Sequence, residues 1–93
     1  MKYPNIYTLF RERVEQYRAL DKGPRDVFYV RQGEEWKGIP WGRFDAEAHE
    51  FGCALLSSGL SRGASVCILM GNVPEWPRAD IGTIRAGGIS VGL

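Results

Sequence analysis

The stretch Ser65-Val66-Cys67-Ile68-Leu69-Met70 constrains this chain most. It is a short run without charge, bounded by Gly63 on one side and Gly71 on the other, and it is far too short to cross a bilayer. Such a run suits a strand covered on both faces, as in a parallel sheet. The residues after it say how the second strand is reached. Gly71-Asn72-Val73-Pro74-Glu75-Trp76-Pro77 reads as a turn into a helix, because Pro74 and Pro77 fit a first helical turn, where the N–H groups have no intrahelical partner. That helix carries Trp76, Ala79, Thr83, Ile84 and Ala86 and stops at Gly87-Gly88, and Ile89-Ser90-Val91-Gly92-Leu93 begins another strand. The pattern is one βαβ unit, for which a right-handed crossover is expected.

Three elements precede it. From Asn5 to about Leu20, the apolar residues Leu9, Phe10, Val14 and Tyr17 recur at helical spacing while Arg11, Glu12, Glu15 and Arg18 fill the other side, with Asn5 or Thr8 near the cap. Asp21-Lys22-Gly23-Pro24 breaks this helix. Val27-Phe28-Tyr29-Val30 is rich in β-formers, Gly33-Glu34 reads as a turn, and Trp36 to Ile39 returns as the second strand of a hairpin that ends at Pro40. A second helix runs from about Trp41 to Ser58. There Phe44, Ala48, Phe51 and Leu55 share a stripe about 60° wide, and Gly59 supplies a left-handed C-cap. The fold class expected is therefore α/β: an N-terminal helix and β-hairpin followed by a helix and a βαβ unit. At 93 residues there is room for one small domain, which buries only roughly 60–65% of its unfolded surface. A parallel strand that lacks neighbours would be costly in so small a piece.

Charge names no partner. Twelve Lys and Arg against eleven Asp and Glu leave a net charge of +1, spread along the chain, so nothing marks a nucleic-acid or anionic-membrane surface. Cys53 and Cys67 match no metal-binding spacing and read as two reduced, half-buried thiols. Met1 to Asn5 leads into a charged amphipathic segment rather than a signal peptide, no run is long enough for a transmembrane segment, and no lipid-anchor motif occurs. A cytoplasmic location is the expectation.

Each candidate for chemistry has a structural explanation. Gly88-Ile89-Ser90-Val91-Gly92 matches G-x-S-x-G, but it follows a helix instead of opening one, and the sole histidine, His49, lies upstream with no acid after Ser90. Close backbone packing accounts for it better than a nucleophile does. The glycines at 82, 87, 88 and 92 lack the G-K-[ST] of a phosphate loop, there being no lysine after Lys37. His49 lies about 140° around its helix from Phe44, away from the apolar stripe. Glu47, Glu50 and Arg43 read as a solvated face, and Glu75 and Asp80 as charges along the third helix, with Glu75 complementing its dipole. Trp36, Trp41 and Trp76 read as core or lid packing. No catalytic, cofactor-binding or metal-binding residue is assigned.

Gly71-Asn72-Val73-Pro74-Glu75-Trp76-Pro77, then Ala79-Asp80-Ile81-Gly82 and Ala86-Gly87-Gly88-Ile89-Ser90-Val91-Gly92, resemble the N-terminal region of AMP-forming acyl-CoA synthetases of the long-chain fatty acid ligase type. Tyr7-Thr8-Leu9-Phe10, Gly33 with Trp36, Trp41 with Phe44-Asp45, Leu55-Leu56, Gly59-Leu60 and Gly63 continue the likeness over nearly the whole chain. It departs at Pro40, where the family usually has Thr or Ser, and at Gly63-Ala64-Ser65, which replaces a Gly-Asp-Arg or Gly-Asp-Lys turn. The resemblance implies that residues 1–93 are a partial N-terminal (AMP-binding) domain, an incomplete piece of a larger synthetase ending before its phosphate-binding loop. It also implies that the parent enzyme uses ATP, Mg²⁺ and CoA to join a fatty acid to CoA through an acyl-adenylate. The ligands' binding residues lie downstream of Leu93 in that family, so this segment would be scaffold without cofactors of its own, inactive alone. Its partner would be the remainder of the synthetase or, as an alternative, a second copy of a stand-alone interaction module.

Overall fold

The computed structural model describes residues 5–19 and 26–93. Its elements run in the order expected: α1 (Ile6–Ala19), β1 (Asp26–Gln32), β2 (Glu35–Pro40), α2 (Trp41–Ser57), β3 (Ser65–Ile68), α3 (Glu75–Arg85) and β4 (Ile89–Gly92). The break expected at Asp21-Lys22-Gly23-Pro24 lies outside the described residues. No helix among the described residues is long and apolar enough to cross a membrane. The chain divides into two compact units, Met1–Asp45 and Ala46–Leu93.

In the first unit, Asn5 caps α1: its Oδ1 accepts the Thr8 backbone N–H at 2.8 Å and the Thr8 hydroxyl at 2.9 Å. One orphaned backbone donor, the Thr8 N–H, is thereby satisfied at the helix start. Strands β1 and β2 pair antiparallel, from Gln32 opposite Glu35 to Asp26 opposite Pro40, with an irregularity at Val27 between Asp26 and Phe28. Gly33 has φ +64° and Glu34 a negative φ, the signs of a type II′ turn, whose twist suits a two-residue hairpin. Phe10 and Val14 of α1 are buried with Phe44 at the start of α2. The aromatic rings interlock: Phe44 meets Phe10 edge-on at 5.6 Å and Phe28 at 5.4 Å, and Trp41 stacks on Tyr17 at 5.1 Å. Trp36, by contrast, is 65% exposed on the hairpin, so the expectation of core or lid packing is corrected there. It stands one residue into a strand whose first three side chains all face solvent.

The second unit is the βαβ unit with most of α2. Strands β3 and β4 are parallel, from Ser65 opposite Ile89 to Ile68 opposite Gly92. The strand is shorter than the apolar run that signals it. Pairing ends where the Leu93 N–H reaches the Ile68 carbonyl, and Leu69 and Met70 extend past it, 77% and 40% exposed. Nor is β3 covered on both faces. Val66 and Ile68 turn inward while Ser65 and Cys67 are exposed, a period-2 pattern that marks a strand with one covered face among the described residues. The cysteines are accordingly exposed rather than half-buried.

Both helix ends in this unit close by the same device. Leu60 N–H reaches the Leu55 carbonyl and Gly59 N–H the Leu56 carbonyl, and Gly88 N–H reaches Thr83 while Gly87 N–H reaches Ile84. These paired bonds are Schellman motifs; they place Gly59 (φ +98°) in the left-handed region, as the sequence led one to expect, and Gly87 (φ +88°) there as well. The Gly63-Ala64-Ser65 departure still makes a turn into β3: Gly63 N–H bonds to Gly87 O at 2.8 Å and Ile89 N–H to Ala64 O at 2.8 Å. Trp41 opens α2 directly after Pro40.

Candidate functional site

In an open α/β sheet, ligands bind beyond the carboxyl ends of the strands. Here that position is a cleft of about 290 Å³ lined by Met70, Gly71, Asn72, Trp76 and Pro77, between the end of β3 and the start of α3. The Gly71-to-Pro77 sequence builds it. Val73 N–H turns back to Gly71 O at 2.9 Å, Trp76 N–H bonds to Val73 O at 3.1 Å, and Pro74 takes helical angles (φ −61°) without a side-chain cap. This arrangement uses up the donors that make a helix start attractive to anions. Trp76 N–H is engaged, Pro77 has none, and the Glu75 carboxylate stands in the same turn, so the helix start is a poor cradle for phosphate. Among the lining residues are Asn72 and Trp76, and no charged side chain is one of them.

The G-x-S-x-G stretch is packing surface. A Cβ at Gly88 would lie 3.0 Å from Thr83 Cγ2, and one at Gly92 would lie 2.8 Å from the Trp76 ring. The chain therefore packs closely on α3 at the two glycines, Gly92 in β4 against Trp76 and Gly88 just before β4 against Thr83, and Ser90 between them has a buried Oγ with no hydrogen-bond partner among the described residues. Thr83 Oγ1 is unpartnered in the same way, in a residue with no exposed surface. Gly82 works at the other side of α3. Its Cβ would come within 2.7 Å of the Ala48 carbonyl oxygen, and a Cβ on Gly52 within 2.9 Å of the Gly82 carbonyl oxygen, so α2 and α3 cross with their backbones nearly touching.

Charged residues are more engaged than the sequence suggests. Glu47 is not a solvated carboxylate: it accepts a hydrogen bond from Arg78 Nη1, tying α2 to α3, and Arg78 also lies 3.8 Å from Glu75. Glu50 and Arg43 are exposed, and Asp80 is half-buried. In the first unit Asp45 is buried, and Arg11 donates to it from Nη1 at 2.6 Å while donating to Glu15 from Nη2 at 2.9 Å. The Asp45 hydrogen bond holds the Arg11 guanidinium above its ordinary pKa despite partial desolvation. Sequence reasoning missed this pair, whose sole trace was Phe44-Asp45 at a helix start. His49 lies on the exposed side of α2 with Nε2 3.6 Å from Cys53 Sγ. No group of three or more His, Cys, Asp or Glu among the described residues could hold a metal ion.

Comparison with known proteins fits this arrangement. The family model described as AMP-binding enzyme matches residues 16–93. The chain belongs to the AMP-binding enzyme family. Among curated relatives, the long-chain-fatty-acid–CoA ligase ACSBG1 of Rattus norvegicus is 36% identical over 78 residues, covering 83% of this chain and 11% of that protein. The ligase ACSBG2 of Xenopus laevis is 32% identical over 88 residues, covering 95% of this chain and 11% of that protein. The ligase heimdall of Drosophila melanogaster is 34% identical over 90 residues, covering 95% and 13%. The chain thus spans between a tenth and a seventh of the length of these relatives. Among solved structures, the fatty acid AMP ligase from Legionella pneumophila superposes with a TM-score of 0.75 at 22% identity, over 99% of this chain and 16% of that one. The shared element is the fold: the AMP-binding family chain has the mixed α/β architecture of part of that ligase.

Proposed function

We propose that residues 1–93 are a scaffold portion of a long-chain fatty acid–CoA ligase, and that the groups performing its chemistry belong to polypeptide beyond this segment. The observation that carries the reading is the match to ligases named for long-chain fatty acids at 31–36% identity across most of this chain. In the reaction proposed for the whole enzyme, a fatty acid carboxylate attacks the α-phosphorus of ATP and diphosphate leaves. The CoA thiol then attacks the acyl-adenylate carbonyl and AMP leaves. Mg²⁺ would neutralise the polyphosphate charge in the first step. Negative charge on the phosphoryl oxygens and on the departing diphosphate calls for fixed donors and cations. The start of α3, with Pro77 and Glu75 in its first turn, is unsuited to that task, which supports placing phosphate binding elsewhere.

What these residues do is hold positions. The Gly52 and Gly82 crossing lets α2 and α3 approach closely, the Glu47–Arg78 pair fixes their rotation, and Gly88 and Gly92 seat α3 on β4. Incubating the chain with ATP, Mg²⁺, a long-chain fatty acid and CoA should produce no AMP; AMP release above a blank would show that the reactive groups lie within these residues.

A second reading is that the segment works as a separate subunit or interaction module, pairing its open sheet with another chain. It is favoured by the uncovered side of β3 and β4, where Cys67 and Ile89 are exposed and Leu69 and Leu93 follow the strand ends. Sizing by light scattering separates the two readings. A monodisperse dimer with cooperative unfolding supports the module, and an aggregating or molten product supports the scaffold.

A further inference from the structure

Outside the strand-end cleft and the glycine contacts, one cluster joins a nucleophile to a base. Cys53 and His49 stand one helical turn apart on the exposed side of α2, with Sγ 3.6 Å from Nε2. They open onto a depression of about 100 Å³ whose other walls are Gly52, Leu56, Arg85 and Ala86. With Nε2 unprotonated, the imidazole can accept the thiol hydrogen, which places a base beside the sulfur. The chain has a single histidine, so its other cysteine, Cys67, has no imidazole of its own although it too is exposed. Both thiols are exposed, and only Cys53 lines the depression beside the histidine.

We propose that Cys53 is a thiol-modification site that takes a low-molecular-weight disulfide of the glutathione type. The depression has the volume of about three water molecules. That admits one sulfur with its methylene, and is too small for a segment of another protein. In the step, the Cys53 sulfur attacks one sulfur of the disulfide, its proton passing to His49 Nε2. The S–S bond of the reagent breaks, a mixed disulfide forms on Cys53, and the departing thiolate is released and regains a proton from the imidazolium. Oxidation of Cys53 is balanced by reduction of the leaving half of the reagent. Leu56 and Ala86 give the attached methylene apolar contact.

The test compares both cysteines in one sample of the folded chain. Incubation with oxidised glutathione, quenched at intervals and mapped by peptide mass spectrometry, should show Cys53 acquiring the adduct roughly three- to ten-fold faster than Cys67. His49→Gln, on an exposed position, should bring Cys53 down to the Cys67 rate and leave Cys67 unchanged, with the same far-ultraviolet circular dichroism as the parent. In concentrated urea the two thiols should react alike. Equal rates in the folded chain, a Cys53 rate indifferent to His49→Gln, or a preference that persists in urea would each overturn the proposal.

Discussion

The crossing of α2 and α3 makes a quantitative demand on Gly82. In a helix interior, replacing glycine by alanine ordinarily stabilises by about 1 kcal/mol, because glycine loses more backbone freedom on folding. At Gly82 the added methyl would stand 2.7 Å from the Ala48 carbonyl oxygen and 2.9 Å from Phe51 Cδ1. A comfortable carbon–oxygen approach is about 3.3 Å, so α2 must retreat by roughly 0.6 Å or the oxygen must tilt out of its helix bond. The Phe51 ring can swing, but the Ala48 oxygen is backbone and cannot move alone. Overpacking of this kind costs about 1–3 kcal/mol, and two contacts under 3.0 Å, one of them to backbone, put Gly82 in the upper part of that range, about 2–3 kcal/mol, so a net loss of about 1–2 kcal/mol remains after the helix-propensity gain. For a domain of this size that lowers the unfolding midpoint by roughly 4–16 °C. Thermal unfolding followed by circular dichroism measures it, with Gly71→Ala as the reference, since a methyl there meets nothing within 4 Å. Gly52→Ala should act in the same direction. The double substitution should cost less than the sum, because helices already separated by one methyl have room for the other. A Gly82→Ala chain as stable as the parent, or more stable, would refute the close backbone crossing.

Removing the Arg11 guanidinium with Arg11→Ala leaves the buried Asp45 carboxylate short of a partner and should cost about 1–3 kcal/mol in urea unfolding, whereas Glu15→Ala, on the exposed side of the same arginine, should cost under about 0.5 kcal/mol; equal losses would contradict the burial. Because the Arg11 pKa is raised in the folded chain, its share of stability is fully present below the ordinary arginine value and is lost only as pH climbs through the higher folded value, so titration between neutrality and pH ~10 should leave the Arg11→Ala difference unchanged on the alkaline side. Thr83→Val replaces an unpartnered buried hydroxyl by a methyl of similar shape and should raise the unfolding midpoint, by about 1 kcal/mol of stability; a lower midpoint would reveal a partner for Oγ1. Gly33→Ala forces a side chain into positive φ at the hairpin turn and should cost about 1 kcal/mol, while Gly33→Asn should cost less, as read from exchange protection of the β1 and β2 amides.

The order of elements was legible because its signals are local. Asn5 before a helical stripe, Gly33-Glu34 between β-formers, Gly59 and Gly87 after helices, and Pro74 with Pro77 in a first turn each act through sterics within a few residues of themselves. The resemblance in residues 71–92 was legible for a related reason: turn, helix start and strand glycines stand at fixed spacing. The close packing expected around Ser90 is found at Gly88 and Gly92, which are contact points for Thr83 and Trp76.

Other features were misread because an apolar or charged letter does not say what lies opposite it. Leu69 and Met70 look like strand, yet the ladder stops where β4 does, at Ile68 opposite Gly92. Cys67 sits amid apolar residues and is exposed all the same, because the described residues cover one face of its strand. Trp36 is large and aromatic yet lies open on a hairpin. Glu47 falls on the polar side of α2, but α3 brings Arg78 to it.

By itself, then, the sequence determined the succession of helices, turns and strands and the family pattern they make, since backbone geometry and hydrophobic period are written within a turn or two of each residue. Tertiary structure alone decided that Gly52 and Gly82 meet, that Arg11 reaches Asp45 across 34 positions of chain, and that Arg78 is brought to Glu47. Those outcomes depend on which surfaces are pressed together and on the rotamers that survive the contact. That is a property of the packed whole, which no short window of residues contains.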